Sequence, residues 1–218
     1  MTAYQSQWGQ DRHVNELLFK NKRNGFFVDI GATDGVSISN SYFFEKELGW
    51  KGICFEPRKG PFEQLRKNRD CICINACAYK EDTTVEFADI DGYCDALSGI
   101  TAEYCEKHKN RISNEMAMMG GETRLERCKA FRLATVFDMH GVDHVDYMSI
   151  DTEGSEMAVL QGIDFNKVTI DAIEVEVNYP EDEETILTTF LEEKGFHFVA
   201  KIGGDNLYLR NGVEPDQD

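Results

Sequence analysis

Apolar and polar positions along the 218 residues fall into two alternating kinds of run. Short, nearly continuous apolar stretches, FFVDI (26–30), GICFE (52–56), CICINA (71–76), YMSID (147–151) and AIEVEV (172–177), read as strands covered on both faces. Between most of them, the stretches 39–48, 61–68, 155–160 and 183–194 carry helical spacing. Strands separated by helices need right-handed crossovers, so the pattern predicts a doubly wound α/β fold with a mainly parallel sheet. Late in the chain, FHFVAKI and NLYLR flank a short Gly-Gly-Asp turn, which predicts an antiparallel hairpin at one edge. The rhythm breaks between Thr83 and Arg132, where TVEFADI predicts an extra strand, 101–114 a helix and MAMMGGETR a loop. We read 83–132 as an insertion within one domain spanning 1–218, at a place where such sheets carry lids or acceptor pockets.

Composition narrows the function classes. A hydrophobic content of 41% supplies one sizeable core. No run reaches the roughly 20 apolar residues that a bilayer requires, and MTAYQSQWGQDRH lacks the pattern of a secretory signal. The expectation is a soluble, cytoplasmic protein with no membrane partner. Seven cysteines without a C-x-x-C pair indicate free thiols. A net charge of −17 repels polyanions, which excludes nucleic acid as an expected partner. The acidic run 181–184 and the tail acids Glu214, Asp216 and Asp218 read as solvated surface.

Three clusters carry chemistry. In FFVDIGATDG a strand ends in Asp29, Gly31 and Gly35, and glycines there let the backbone turn tightly and approach a ligand. A dinucleotide fingerprint counted from Gly31 needs glycines at 33 and 36, where Thr33 and Val36 stand, so a pyrophosphate ligand is disfavoured. The next strand ends in Glu56, placed to accept hydrogen bonds from ribose hydroxyls. A ribose acid without a phosphate grip suits an adenosine with a non-phosphate tail, such as S-adenosylmethionine, better than NAD. The third cluster lies in SIDTEGSE and EVEVN, where period two puts Glu174, Glu176 and Asn178 on one face of a strand while Asp151 and Glu153 end its neighbour. Asp151 is the preferred catalytic candidate.

Together, SQWGQD (6–11), FFVDIGATDG, SNSYFFEKELGWKGICFEP (39–57), LSGI (97–100), VDYMSIDTEGSEMAVLQGI (145–163) and IEVEVN (173–178) resemble the FkbM family of S-adenosylmethionine-dependent methyltransferases. That resemblance implies a class I methyltransferase, Rossmann-like fold: a seven-stranded, mainly parallel sheet with an antiparallel edge hairpin and helices on both faces. It implies that Asp29, Gly31, Thr33 and Asp34 surround the methionine portion of the cofactor, Glu56 holds the ribose, and Ala76 and Cys77 lie beside the adenine. Asn40, Gln10 and Asp11 are expected to close over the amino-acid end, Gln10 having a competing role as a helix-cap partner. The segment least like the family, 101–132, is the expected acceptor side.

The expected reaction is O-methylation of a sugar or glycan hydroxyl, with a deoxyhexose as the guess for the acceptor. Asp151 serves as general base or acceptor-orienting group, helped by Glu153 or Glu176. A small natural product is the alternative acceptor, and a non-catalytic S-adenosylmethionine sensor the alternative class; retained acids on two strands speak against the sensor. No metal is favoured, although Asp151, Glu174 and Glu176 with Asn178 offer oxygen ligands for Mg²⁺ or Mn²⁺. His140 and His144 have ligand spacing only on a helix, which Gly141 argues against, and His13 and His108 show no pairing. Tyr93, Tyr104, Trp8 and Tyr179 are candidates for stacking on a sugar ring.

Overall fold

The computed structural model describes residues 4–214. Its central sheet contains strands β1 (Phe26–Ile30), β2 (Lys51–Phe55), β3 (Ile72–Ile74), β8 (His144–Ile150), β9 (Thr169–Glu176), β10 (Phe196–Ile202) and β11 (Asp205–Arg210). Their spatial order is β10-β11-β9-β8-β1-β2-β3, which is the seven-stranded class I methyltransferase arrangement expected above. The neighbours from β9 to β3 pair in parallel, while β11 runs antiparallel to both β9 and β10. The order reverses at β1 and β8, so the crevice outside their carboxyl ends is the place where such a sheet binds ligands.

Helices cover both faces. On one, α1 (Gln10–Val14) and the wider π turn that continues it to Phe19, α2 (Tyr42–Lys46) and α3 (Lys59–Asn68) bury Val14, Leu18, Phe43, Phe44 and Leu65 against Phe27, Tyr147 and Leu207. On the other, α5 (Leu133–His140), α6 (Glu156–Gln161) and α7 (Pro180–Glu193) bury Leu133, Phe137, Leu160 and Leu191 against Val28, Ile150 and Val175. Helix α5 goes beyond the sequence expectation, although Leu133, Val136 and Phe137 stand at i, i+3 and i+4 and are all buried.

A second sheet, ordered β4-β7-β5-β6 from Cys77–Ala78, Thr123–Phe131, Thr83–Ile90 and Gly99–Ile100, takes in the strands of the segment read as an insertion and β4 just before it. Helix α4 (Glu106–Met119) packs Ile112 and Met116 against Cys94 and Leu97 beside it. This corrects two boundaries. The predicted helix 101–114 starts and ends later, because Cys105 caps it by accepting from the His108 amide and Gly120, with φ +76, stops it. The predicted loop MAMMGGETR shrinks to Gly120, Gly121 and Glu122, since α4 runs to Met119 and pairing of Thr123 with Ile90 starts β7. All seven cysteines are free, and among the described residues no helix is long and apolar enough to cross a membrane. Of the acids expected at the surface, Asp216, Asp218 and the side chains of 181–183 lie outside the described residues.

Candidate active site

A cleft of about 720 Å³, its open mouth included, lies over the carboxyl ends of β1, β2 and β8. Gly31, Thr33, Glu56, Ala76 and Cys77 line it, and so do Asp151 and Glu153. Phe87 and Ile100 of the second sheet and Ser98 beside it line the same cleft. Ile30, Phe55, Ala78 and these residues make that part of it apolar, which suits a flat base.

Gly31 has a double reason to be glycine. Its φ of +90 is left-handed, and a Cβ there would stand 1.9 Å from the carbonyl oxygen of Asp151. The close approach is therefore to the end of β8, and it is extended by the bond from the Asp151 amide to the Ile30 carbonyl at 3.0 Å. Glu56 is buried at the end of β2, accepting from the Thr33 amide at 3.0 Å and the Arg58 amide at 2.7 Å. Burial pushes its carboxyl up to about 7, against the pull of those two amides and of the Arg58 charge. Arg58 reaches across to Asp89 at 2.9 Å and to the Asp95 carbonyl at 3.1 Å, fastening the β2 end to the insertion.

Other residues expected to touch a cofactor are placed behind the cleft. Asp29 is buried, accepting from Ser41 and, at 3.5 Å, from Ser39. Those two serines also receive the guanidinium of Arg69, which is ion-paired with Glu45 and donates to the Gly35 carbonyl at 3.1 Å. Asp29 thus anchors the glycine loop through a buried network. Asp34 accepts from the Val36 and Ser37 amides, both at 2.8 Å, and caps its own turn. Asn40 donates to Ser149 at 3.0 Å. Gln10 accepts from the Trp8 amide and donates to Asp205, both at 2.7 Å, and so ties α1 to the edge hairpin. Asp11 accepts from the Gln5 amide at 2.7 Å and the Ser6 hydroxyl at 2.5 Å.

The acids divide into two groups. Asp151, Glu153 and Glu176 bring one carboxylate oxygen each within 4.8 Å of one another, and solvent reaches Asp151 through the cleft although protein surrounds it elsewhere. Burial is the main force raising all three carboxyls, and their mutual repulsion adds to it, while a hydrogen bond joins Glu176 to Asp151. A hydrogen bond between two carboxyl groups needs a proton, so Glu176 and Asp151 share one between them. Glu174, by contrast, is 1% exposed and shares hydrogen bonds with Asp205 and Tyr147, while burial holds its carboxyl well above the usual range. Of the oxygen set drawn from Asp151, Glu174 and Asn178, the cluster around Asp151 takes Glu153 and Glu176 as its neighbouring acids. Asn178 turns its amide nitrogen toward Glu176 at 2.6 Å and Glu153 at 3.2 Å, and its oxygen toward Arg111 at 3.3 Å.

The loop bearing Glu153 is fixed by Glu156, which accepts from the Thr152 amide and hydroxyl and the Gly154 amide at 3.0, 2.9 and 3.1 Å. Helix α4 adds two residues that sequence reasoning left without a role. His108 is 1% exposed, stacks on Tyr104, and brings its Nδ1 to 3.3 Å from the Tyr179 hydroxyl and 3.9 Å from Glu153. Burial lowers its pKa, so it stands neutral beside the acids. Arg111 lies 3.8 Å from Glu153. Of the aromatic candidates, Tyr104 and Tyr179 belong to this network, whereas Tyr93 and Trp8 are exposed and are not among the residues lining the cleft.

The remaining histidines lie elsewhere. His140 ends α5 and His144 begins β8, so they share no helix face. His144 bonds Asp171 at 2.9 Å in a cluster whose acids are already matched by Arg210 and Lys22. His13 meets the Gly9 carbonyl at 2.8 Å.

Comparison with known proteins agrees with this geometry. The family model for the methyltransferase FkbM domain matches residues 29–198. The crystal structure of methyltransferase FkbM from Methylobacillus flagellatus KT superposes with a TM-score of 0.53 at 12% identity, covering 87% of this chain and 44% of that one. The chain thus spans less than half the length of that protein. Precorrin-6y C5,15-methyltransferase from Geobacter metallireducens GS-15 superposes with a TM-score of 0.44 at 12% identity, covering 87% of this chain and 82% of that one. No curated protein sequence matches the chain.

Proposed function

The chain belongs to the FkbM methyltransferase family, and from that premise we propose that it is an S-adenosylmethionine-dependent O-methyltransferase acting on a hydroxyl of a sugar or glycan. The cleft fits that cofactor. Glu56 offers a buried carboxylate at ribose position, the apolar wall around Ala76 and Cys77 suits adenine, and no phosphate-binding loop is present to select NAD. Gly31 and Thr33 would border the methionine portion, and Asp29 would act on it through the loop it anchors. When bound, S-adenosylmethionine supplies an electrophilic methyl carbon.

The chain's own groups then have to orient an acceptor oxygen and take its proton. The observation that carries the proposal is that Asp151 and Glu153 line the same cleft as Glu56, with Glu176 joined to Asp151 behind them. A raised carboxyl is a stronger base than a solvated one, and it becomes available near neutral pH. Asp151, the member that solvent reaches, accepts the hydroxyl proton; Glu176 holds the shared proton, and Glu153 with Asn178 orients a second acceptor hydroxyl. Vicinal hydroxyls match paired carboxylates, whereas a phosphodiester is repelled by them and by the net charge of −17. Hence the reading of a sugar, with a deoxyhexose as the first acceptor to try.

The test is transfer of label from S-adenosylmethionine to a panel of free sugars, glycans, phenolic natural products and RNA. Labelled sugar methyl ethers are expected. Label confined to RNA or phenols rejects the acceptor, and cofactor binding without transfer to anything rejects catalysis.

A further inference from the structure

Ile38 stands at the mouth of the cleft with an unusual backbone. Its φ is +52, a left-handed conformation that β-branched residues rarely adopt, because Cβ and both its branches crowd the following carbonyl. Such strain persists only where neighbouring structure imposes it. Here the neighbour is the amino-terminal segment: Ser6 and Ile38 form an isolated parallel bridge. Ser6 is itself held twice by Asp11, through its hydroxyl at 2.5 Å and its amide at 3.3 Å. The chain thus forces an apolar residue into a costly conformation and leaves it 55% exposed, lining the same cleft as Glu56 and Pro57. A glycine or asparagine would hold the same turn without strain, so the turn alone does not account for isoleucine.

We infer that Ile38 is a binding residue whose apolar side chain covers the adenosine end of the bound cofactor, and that Ser6 and Asp11 act on the cofactor through it. This rests on the proposal that the cleft takes S-adenosylmethionine. It also gives Asp11 a role at a distance, since its carboxylate is used within the segment that pins Ile38.

Calorimetric titration with S-adenosylhomocysteine, the demethylated product, tests this without an acceptor. Ile38→Gly removes the cover and the strain together. Affinity should fall roughly tenfold, the value of burying about half an isoleucine side chain, while the melting temperature of the ligand-free protein holds or rises. Ile38→Leu, which restores an apolar cover, should regain most of the affinity. Asp11→Ala should weaken binding in the wild-type background and have little further effect in the Ile38→Gly background, the signature of two residues acting in series. Unchanged affinity in Ile38→Gly overturns the inference and leaves the cofactor reading intact. Wild-type protein that binds neither S-adenosylhomocysteine nor S-adenosylmethionine overturns both.

Discussion

Replacing Gly31 with alanine should damage stability and chemistry together, because one contact joins the glycine turn to the catalytic strand. The new Cβ would lie 1.9 Å from the Asp151 carbonyl oxygen, 1.5 Å short of the 3.4 Å at which ordinary contact begins. Alanine at φ +90 costs about 1 kcal/mol on its own. Relieving the overlap also breaks the 3.0 Å bond from the Asp151 amide to Ile30, worth about 1 kcal/mol, and spreads two paired strands. The total is roughly 2–4 kcal/mol, or a melting temperature lower by roughly 5–15 °C for a domain of this size. Moving the Asp151 backbone by about 1 Å should also reduce methyl transfer on the order of 100-fold. Gly141→Ala is the control, since Gly141 has φ +66 and nothing within 4 Å of its would-be Cβ. That variant should lose only about 1 kcal/mol. Calorimetry on both variants gives the comparison, and equal losses at 31 and 141 would refute the contact as the cause.

Four other outcomes are expected. Asp151→Asn should slow methyl transfer by roughly 10²–10⁴-fold with cofactor affinity nearly unchanged, and should raise the melting temperature by removing one charge from a repelling cluster; near-normal turnover would remove Asp151 from the base role. Glu56, pushed up to about 7 from 4.5, contributes stability that is complete below pH 4.5 and lost as pH rises through 7, about 3 kcal/mol in the ligand-free protein. Glu56→Gln should flatten that decline, and parallel wild-type and variant curves in a pH series of denaturant melts would reject the assignment. Because Arg111 draws the Glu153 carboxyl down, Arg111→Met should move the acid limb of the kcat profile to higher pH, and an unmoved limb would disconnect the two. Exhaustive chelation should leave transfer intact, since Asn178 presents a nitrogen to the acids; loss restored by Mg²⁺ or Mn²⁺ would make Asp151, Glu153 and Glu176 a metal site.

The parts legible in the sequence are those whose cause is local. Strand β1 was readable residue for residue because FFVDI is apolar on both faces and ends at glycine, and the edge hairpin because its turn needs positive φ at Gly203. The grouping of Asp151 with Glu176 followed from strand periodicity on two adjacent strands. What escaped was set by distant chain. Period two places Glu174 and Glu176 on one face, but it does not say that Asp205 and Tyr147 enclose the first while the second joins Asp151 and Glu153. Glu156 reads as one more acid of SIDTEGSE, yet three hydrogen bonds make it the fastener of the loop that carries Glu153.

His108 and Arg111 illustrate the same limit at greater range. They lie more than 40 positions before Glu153, and nothing in KHKNR marks them as site residues. Only the packing of α4 against Cys94 and Leu97 brings them to the acids. The consequence is a division of labour within one cleft. Residues of the central sheet, Gly31, Glu56 and Asp151, are fixed by strand ends that any sheet of this order provides. The groups that tune Glu153 come from α4, so acceptor choice and the protonation of the cluster should change together when that helix is exchanged. Grafting 101–122 from a relative with a known acceptor would show whether they do: a shifted pH profile with an unchanged acceptor would separate the two roles.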